Sequence, residues 1–394
     1  MLANFSDPGP RGAVRVRRPR PGRAGQAAAA CASVIALVSV AACGSSSDSD
    51  GSAAKQPANT AAAKAALSDY TVPPTDFPVT DALGQRLPAG KKFAYLQCST
   101  PICAAVGSIV KQAVQAIGGT TTVVNAGSTA QTAQAAASSV NALKPDAVIL
   151  GAIDPALFGD GLKKLSASGV KLVSLQIAKD VAPYGITFNY LGEDLSRRNG
   201  KLMADWVIAK KGAGVETVLY TEPALDISAP VQKSFQDEMK KNCPSCKVRV
   251  VPIDVATIGT TAPRTVVTDL QAHPDTKSAV FVSLSAAAGL PAAMKAAGLS
   301  VTTLGFGPTA NNLQDIKDGK LTAALNIDFP VSTWTAVDAA ARLIEGDEPT
   351  ASEKAGEVPE QFLEQKDITF DPTRGWSAFP DYANRFAQLW KVSS

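Results

Sequence analysis

From residue 91 onward the chain alternates short β-branched or apolar runs with helical stretches of ten to twenty residues, a rhythm that few folds accept. Residues 93–97, 121–125, 147–151, 171–175 and 187–191 read as strands. Helical spacing fills 104–117, 130–143 and 157–168 between them, and 197–210 follows. The pattern then restarts, with strands at 217–220, 247–253, 279–283 and 301–306 and helices at 229–241, 263–271 and 289–297. Repeated strand–helix units imply parallel sheets with helices on both faces. Two such runs predict an α/β fold of two similar doubly wound lobes, and 394 residues suit about two domains. Open sheets of this kind bind ligands beyond the carboxyl ends of their strands, so the expected site is the cleft between the lobes.

The N-terminus reads as an address rather than as fold. Six arginines (Arg11, Arg15, Arg17, Arg18, Arg20 and Arg23) precede the uncharged apolar run of residues 27–42. A basic segment, a short apolar core and small residues before a break describe a secretory signal. The run has 16 residues, short of the roughly 20 that span a bilayer as a helix. Its ending, Val40-Ala41-Ala42-Cys43, resembles the bacterial lipobox, which implies lipidation of Cys43 and membrane attachment through that lipid alone. Removing residues 1–42 changes the formal charge from +3 to −2, leaving 32 basic and 34 acidic side chains. A near-neutral chain of this kind has no electrostatic footprint for nucleic acid. Residues 43–66 carry almost no large apolar side chain and predict a disordered tether. Residues 67–90, with Pro73, Pro74 and Pro78 among apolar side chains, predict an extended strap.

Cys31 leaves with the signal and Cys43 takes the lipid, so four cysteines remain in two local pairs, Cys98/Cys103 and Cys243/Cys246. In an exported protein this spacing favours disulfides. The C-x-x-C at 243–246 also fits redox or zinc chemistry in principle. The only histidine, His273, lies outside any ligand spacing, and no metal or other cofactor is expected.

The stretch G-F-G-P-T-A-N-N-L-Q-D-I-K-D-G-K-L-T-A-A-L at 305–325 is similar to the late segment of type I periplasmic binding proteins of the ribose/sugar group. K-P-D-A-V-I-L-G-A-I-D at 144–154, A-S-G-V-K-L-V-S at 167–174 and Y-L-G-E-D at 190–194 resemble the same family in order and spacing. The resemblance runs from about residue 91 to 346. It implies a monomeric protein that captures a small molecule between two lobes and hands it to an ABC permease with separate ATPase subunits. The family's hinge implies lobe 1 from 91–192 plus 328–348, and lobe 2 from 193–327 plus 349–394 with the C-terminal tail.

The resemblance also marks positions for ligand contacts, and this sequence departs at nearly all of them. Gln176-Ile177 stand at the fourth strand end, Ser283 and Ser285 near the eighth, and Phe306-Gly307 where the family has G-F-D. Asn326, Ile327 and Asp328 occupy the hinge, and Ser99-Thr100-Pro101 lie within the first cysteine bracket. Asp154 follows the third strand. Each apolar replacement disfavours a polyol, whose hydroxyls would give up water without a partner at about 1–3 kcal/mol each. The expected ligand is less polar than a free hexose, a ring compound with one or two hydrogen-bonding groups oriented by Gln176, Ser99, Ser283 and Asp154. Phe306, Ile177 and Ile327 are the expected apolar walls. Two alternatives stay open: a ligand-sensing receptor for a membrane signalling partner, and sugar binding as in the family. An enzyme is not expected, because neither a G-x-S-x-G elbow nor a G-x-x-x-x-G-K-[ST] loop occurs.

Overall fold

The computed structural model describes residues 58–392. The expected signal of residues 1–42, the expected lipidation site Cys43 and most of the expected tether lie outside the described residues. Helix α1 (Thr60–Ala66) opens them, and strand β1 (Lys92–Cys98) begins the first sheet. It is followed by α2 (Pro101–Ala116), β2 (Thr120–Gly127), α3 (Ala130–Leu143), β3 (Ala147–Leu150), α4 (Gly161–Ala167), β4 (Lys171–Leu175) and β5 (Phe188–Tyr190). These strands form one parallel sheet in the order β2-β1-β3-β4-β5. β3 reads Ala-Val-Ile-Leu and is buried throughout, the uninterrupted apolar run required of a strand covered on both faces.

The second lobe runs through α5 (Glu193–Lys211), β6 (Glu216–Thr221), α6 (Ser228–Asn242), β7 (Lys247–Pro252), α7 (Ala262–Ala272), β8 (Ser278–Phe281), α8 (Leu290–Ala296), β9 (Thr302–Phe306), α9 (Ala310–Lys317) and β10 (Ala323–Ile327). α10 (Phe329–Glu345), α11 (Ala351–Ala355), β11 (Glu360–Glu364) and α12 (Tyr382–Leu389) complete the chain. The second sheet is ordered β11-β10-β9-β8-β6-β7, parallel except for β11, which runs antiparallel to β10. Read from β7, it repeats the first sheet's order, so each sheet reverses direction beside its first strand. In open sheets that reversal is where ligands bind.

Local chemistry sets the helix ends. Thr129 caps α3 through a reciprocal capping box with Thr132. Glu193 and Asp194 sit in the first turn of α5 and Lys210 and Lys211 in its last, each complementing the helix dipole. Asp328 caps α10 by accepting from Val331 N, and Gly346, at φ 88°, ends that helix in the left-handed conformation that favours glycine.

Three features depart from the expected organisation. Residues 60–66 are helical rather than part of a disordered tether, because Ala63 packs against α5 and α6 and Asn59 N donates to Asn242 O at 2.7 Å. Residues 349–355 stay beside α10 of lobe 1, where Glu353 lies 3.8 Å from Arg342, before β11 enters the second sheet. The end of the tail lies on lobe 1 and not on lobe 2: α12 packs on α10 and α2, and Trp390 stacks on Trp334 with ring centroids 5.0 Å apart. Trp376 remains in the core of lobe 2. The strap of residues 67–90 is held by Val79, Leu83 and Leu87, all buried, and by Leu83 N donating to Leu389 O at 2.9 Å.

Candidate functional site

A cavity lies where both sheets present their carboxyl ends, the place where open α/β sheets bind ligands. Its lobe-1 side begins after β1. Cys98 and Cys103 are disulfide-bonded with Cα atoms 5.6 Å apart, and the bond brackets the turn into α2. Thr100, 2% exposed, precedes Pro101 at the first helical position, where a missing N–H costs nothing. Gly151 follows β3 because a Cβ there would stand 3.0 Å from the Tyr95 hydroxyl. That hydroxyl donates to Cys103 O at 3.3 Å, and burial holds the phenol neutral by pushing its pKa up.

Gln176 follows β4 with φ 59°, a conformation that costs a side-chain-bearing residue about 1–2 kcal/mol. Its N–H donates to Tyr190 O at 3.0 Å, which ties the turn to β5 and leaves the side chain on the cavity wall.

From lobe 2 come Leu225 and Ile227 after β6, Ser283 after β8, and Phe306 with Gly307 after β9. Ser283 and Ser285 share a 2.7 Å hydrogen bond between their hydroxyls. The first turn of α10 adds Phe329, Ser332 and Thr333. Gly307, at φ 66°, allows the chain to pass Phe329, whose ring would meet a Cβ at 3.3 Å. The Thr333 hydroxyl is buried without a hydrogen-bond partner. Among the described residues no Asp, Glu, Lys or Arg lines the cavity. Behind Ser283, Glu222 is fully buried, and burial pushes its carboxyl pKa well up.

Thr100, Gln176, Ser283 and Phe306 thus line one cavity from its two sides, whereas the other expected positions do not reach it. Ile177 and Ile327 are fully buried in the hydrophobic core, because their strand ends turn them away from the cavity. Asn326, 2% exposed, sits inside β10. Asp328 is consumed by structure: it accepts from Val331 N, Ser377 Oγ and Ala378 N, and burial raises its pKa to about 6. Ser99 and Pro101 flank Thr100 outside the lining, and Ser285 acts on it through Ser283. Asp154 lies in an adjoining groove, 2.7 Å from Lys179 Nζ.

Leu225, Ile227, Phe329 and Thr333 escaped the sequence reading. The first two follow a strand end, the one available clue. The last two belong to a helix that only the hinge crossing returns to the cleft. Elsewhere, Cys243 and Cys246 are disulfide-bonded between α6 and β7, and the described residues include no cluster fit to hold a metal ion and no helix long and apolar enough to cross a membrane.

The sequence matches the model of the periplasmic binding protein domain over residues 93–348. No curated protein matches it. Three solved structures share its fold at 18% identity. A Caulobacter myo-inositol binding protein bound to myo-inositol gives a TM-score of 0.62 over 74% of this chain and 97% of that one. An ABC transporter solute binding protein from Actinobacillus succinogenes with bound D-allose gives 0.60 over 70% and 98%. One from Agrobacterium vitis with bound D-fucose gives 0.61 over 72% and 99%. The family match spans the whole five-stranded sheet and the parallel part of the six-stranded one, with the crossings between them, and the chain therefore belongs to the periplasmic binding protein family, with the type I fold.

Proposed function

We propose that this chain is an exported solute-binding lipoprotein, anchored through Cys43 to the outer face of a bacterial cytoplasmic membrane. It captures a neutral small molecule in the interlobe cavity and presents it to an ABC permease whose ATPase subunits are separate chains. It is a binder without catalytic chemistry or cofactor, and it acts as a monomer.

The observation that carries the ligand class is the wall itself. Tyr95, Phe306 and Phe329 bring rings to it, and Leu175, Leu225 and Ile227 bring aliphatic surface, while no charged side chain faces in among the described residues. Thr100, Gln176, Ser283, Ser332 and Thr333 offer the uncharged polar side chains. Such a wall desolvates a polyol without pairing its hydroxyls, which is costly, and accepts an apolar ring at little cost. The ligand is a ring compound with one or two hydrogen-bonding groups. The competing reading, a sugar, draws on the myo-inositol, D-allose and D-fucose bound to structures of the same fold.

A thermal-shift screen of the purified protein decides between them. One half of the panel holds pentoses, hexoses and inositol; the other holds aromatic, terpenoid and steroid-like compounds. A ligand specific to the native state raises the melting temperature by mass action. Stabilisation by the second half alone supports the reading, and stabilisation by a sugar overturns it.

A further inference from the structure

Beside the cavity, the loop after β6 reaches across from lobe 2 and grips lobe 1. Asp226 has a side chain only 5% exposed. Its Oδ2 accepts from Ala178 N at 2.6 Å and from Lys179 N at 3.0 Å, and its Oδ1 lies 3.2 Å from Lys179 Nζ. Lys179 Nζ also lies 2.7 Å from Asp154 Oδ2, so the ammonium sits between one carboxylate from each lobe. One residue before Asp226, Leu225 forms an isolated antiparallel bridge with Ile153 of lobe 1.

These contacts exist only while the lobes are together. A carboxylate that accepts two backbone N–H groups makes hydrogen bonds stronger than neutral ones. When the lobes part, the same carboxylate and the same N–H groups return to water. The turn it caps is the one that carries Gln176, whose φ of 59° must be held against its own preference. Gln176 N is tied to Tyr190 O from one side, and the N–H groups of the next residues but one are tied to Asp226 from the other. Lobe 2 thereby fixes the backbone that aims a lobe-1 side chain at the cavity.

We propose that Asp226 is the closure latch of this protein, a positioning residue that sets the closed population and the geometry of Gln176 although it lies outside the cavity wall. The inference rests on the binding reading above, since a latch on a two-lobe clamp matters only if the clamp opens. A ligand gains affinity in proportion to the fraction of protein already competent to hold it, so loss of the latch weakens every ligand alike.

Small-angle X-ray scattering on the whole purified protein, without added compound, tests the latch directly. Asp226→Ala is expected to shift the scattering toward the open form, with the open-to-closed ratio rising about tenfold for the loss of two charge-assisted hydrogen bonds. Lys179→Ala, which keeps both backbone caps, is expected to shift it less. Asp226→Asn preserves shape and one acceptor and serves if the alanine variant folds poorly. A profile for Asp226→Ala or Asp226→Asn identical to that of the unaltered protein overturns the latch, as does an unaltered protein that is already open. If the variants open as expected but no compound in either half of the thermal-shift panel stabilises the unaltered protein, the latch stands and the binding reading falls.

Discussion

Trp390, near the C-terminus, donates its indole N–H to Asp338 Oδ1 at 2.6 Å in the middle of α10. The other oxygen of that carboxylate accepts from Arg342 Nε at 2.6 Å, and Arg342 donates onward to Asp81 O and Ala82 O of the N-terminal strap. The N-terminal strap and the C-terminal tail are therefore both fastened to lobe 1 through one buried carboxylate. Trp390→Phe keeps most of the stacking on Trp334 and leaves an oxygen of Asp338 unpaired, at a cost of about 1–3 kcal/mol. Trp390→Ala also opens a cavity and is expected to cost about 3–5 kcal/mol. Denaturant melts of both variants check the order.

Stability should fall as pH rises from about 4 to 7. Burial raises Asp328 to about 6 and Glu360 to about 7, the latter despite its 3.0 Å pair with Arg198. Asp205 is raised to about 6, by burial first and by Glu238 second. Between the unfolded and folded values the native state holds protons that the unfolded chain releases, so the slope of stability against pH is negative there. Asp269 opposes this: burial would raise it, but hydrogen bonds from Arg249 and Tyr220 together with the Arg249 charge lower it. Calorimetric melts are expected to give a higher melting temperature at pH 5 than at pH 8, and Glu360→Gln is expected to flatten the difference. A melting temperature that rises across the window would contradict the assignment.

Removing the Cys98–Cys103 disulfide by paired serine substitution is expected to lower stability by roughly 2 kcal/mol, the loop-closure value for so short a ring. Ligand affinity should fall as well, because Thr100 and Ile102 inside the bracket line the cavity. Paired serines at Cys243 and Cys246 should lower stability to a similar degree and leave affinity unchanged, since that bond closes the α6–β7 junction away from the cavity. Melting and titration of both variants with any compound that stabilises the protein separate the two effects.

Gln176 offers a test of strain against contact. Gln176→Ala keeps the left-handed backbone and its cost, whereas Gln176→Gly removes the cost. The glycine variant is expected to be more stable than the alanine variant by about 1 kcal/mol, with both losing affinity together. Equal stability would mean that the turn relaxes when the side chain is removed.

The two-lobed plan was legible before any coordinates because strands buried on both faces spell themselves out as short apolar runs. β4 falls on residues 171–175 and α3 on 130–143 as read, and most other elements fall within a few residues of expectation. Thr100, Gln176, Ser283 and Phe306 emerged as candidates from the family resemblance, which marks ligand contacts at these strand ends. Helix α1 was misread from its lack of large side chains, although its alanines carry the highest helix propensity and Asn59 caps it.

What the sequence determined by itself is what depends on near neighbours: strand and helix periods, caps, close cysteine pairs and the order of the parallel units. What the tertiary structure alone decided depends on partners far apart in the chain. Nothing near Trp390 announces that it stacks on Trp334, and nothing near Asp226 announces that it caps a turn 48 residues earlier. Phe329 and Thr333 reach the cavity, and Ile177 and Ile327 miss it, because the packing of whole lobes and the hinge crossing set where each strand end points. Local preferences choose the elements over a few residues; desolvation and packing between distant elements choose which of their side chains meet.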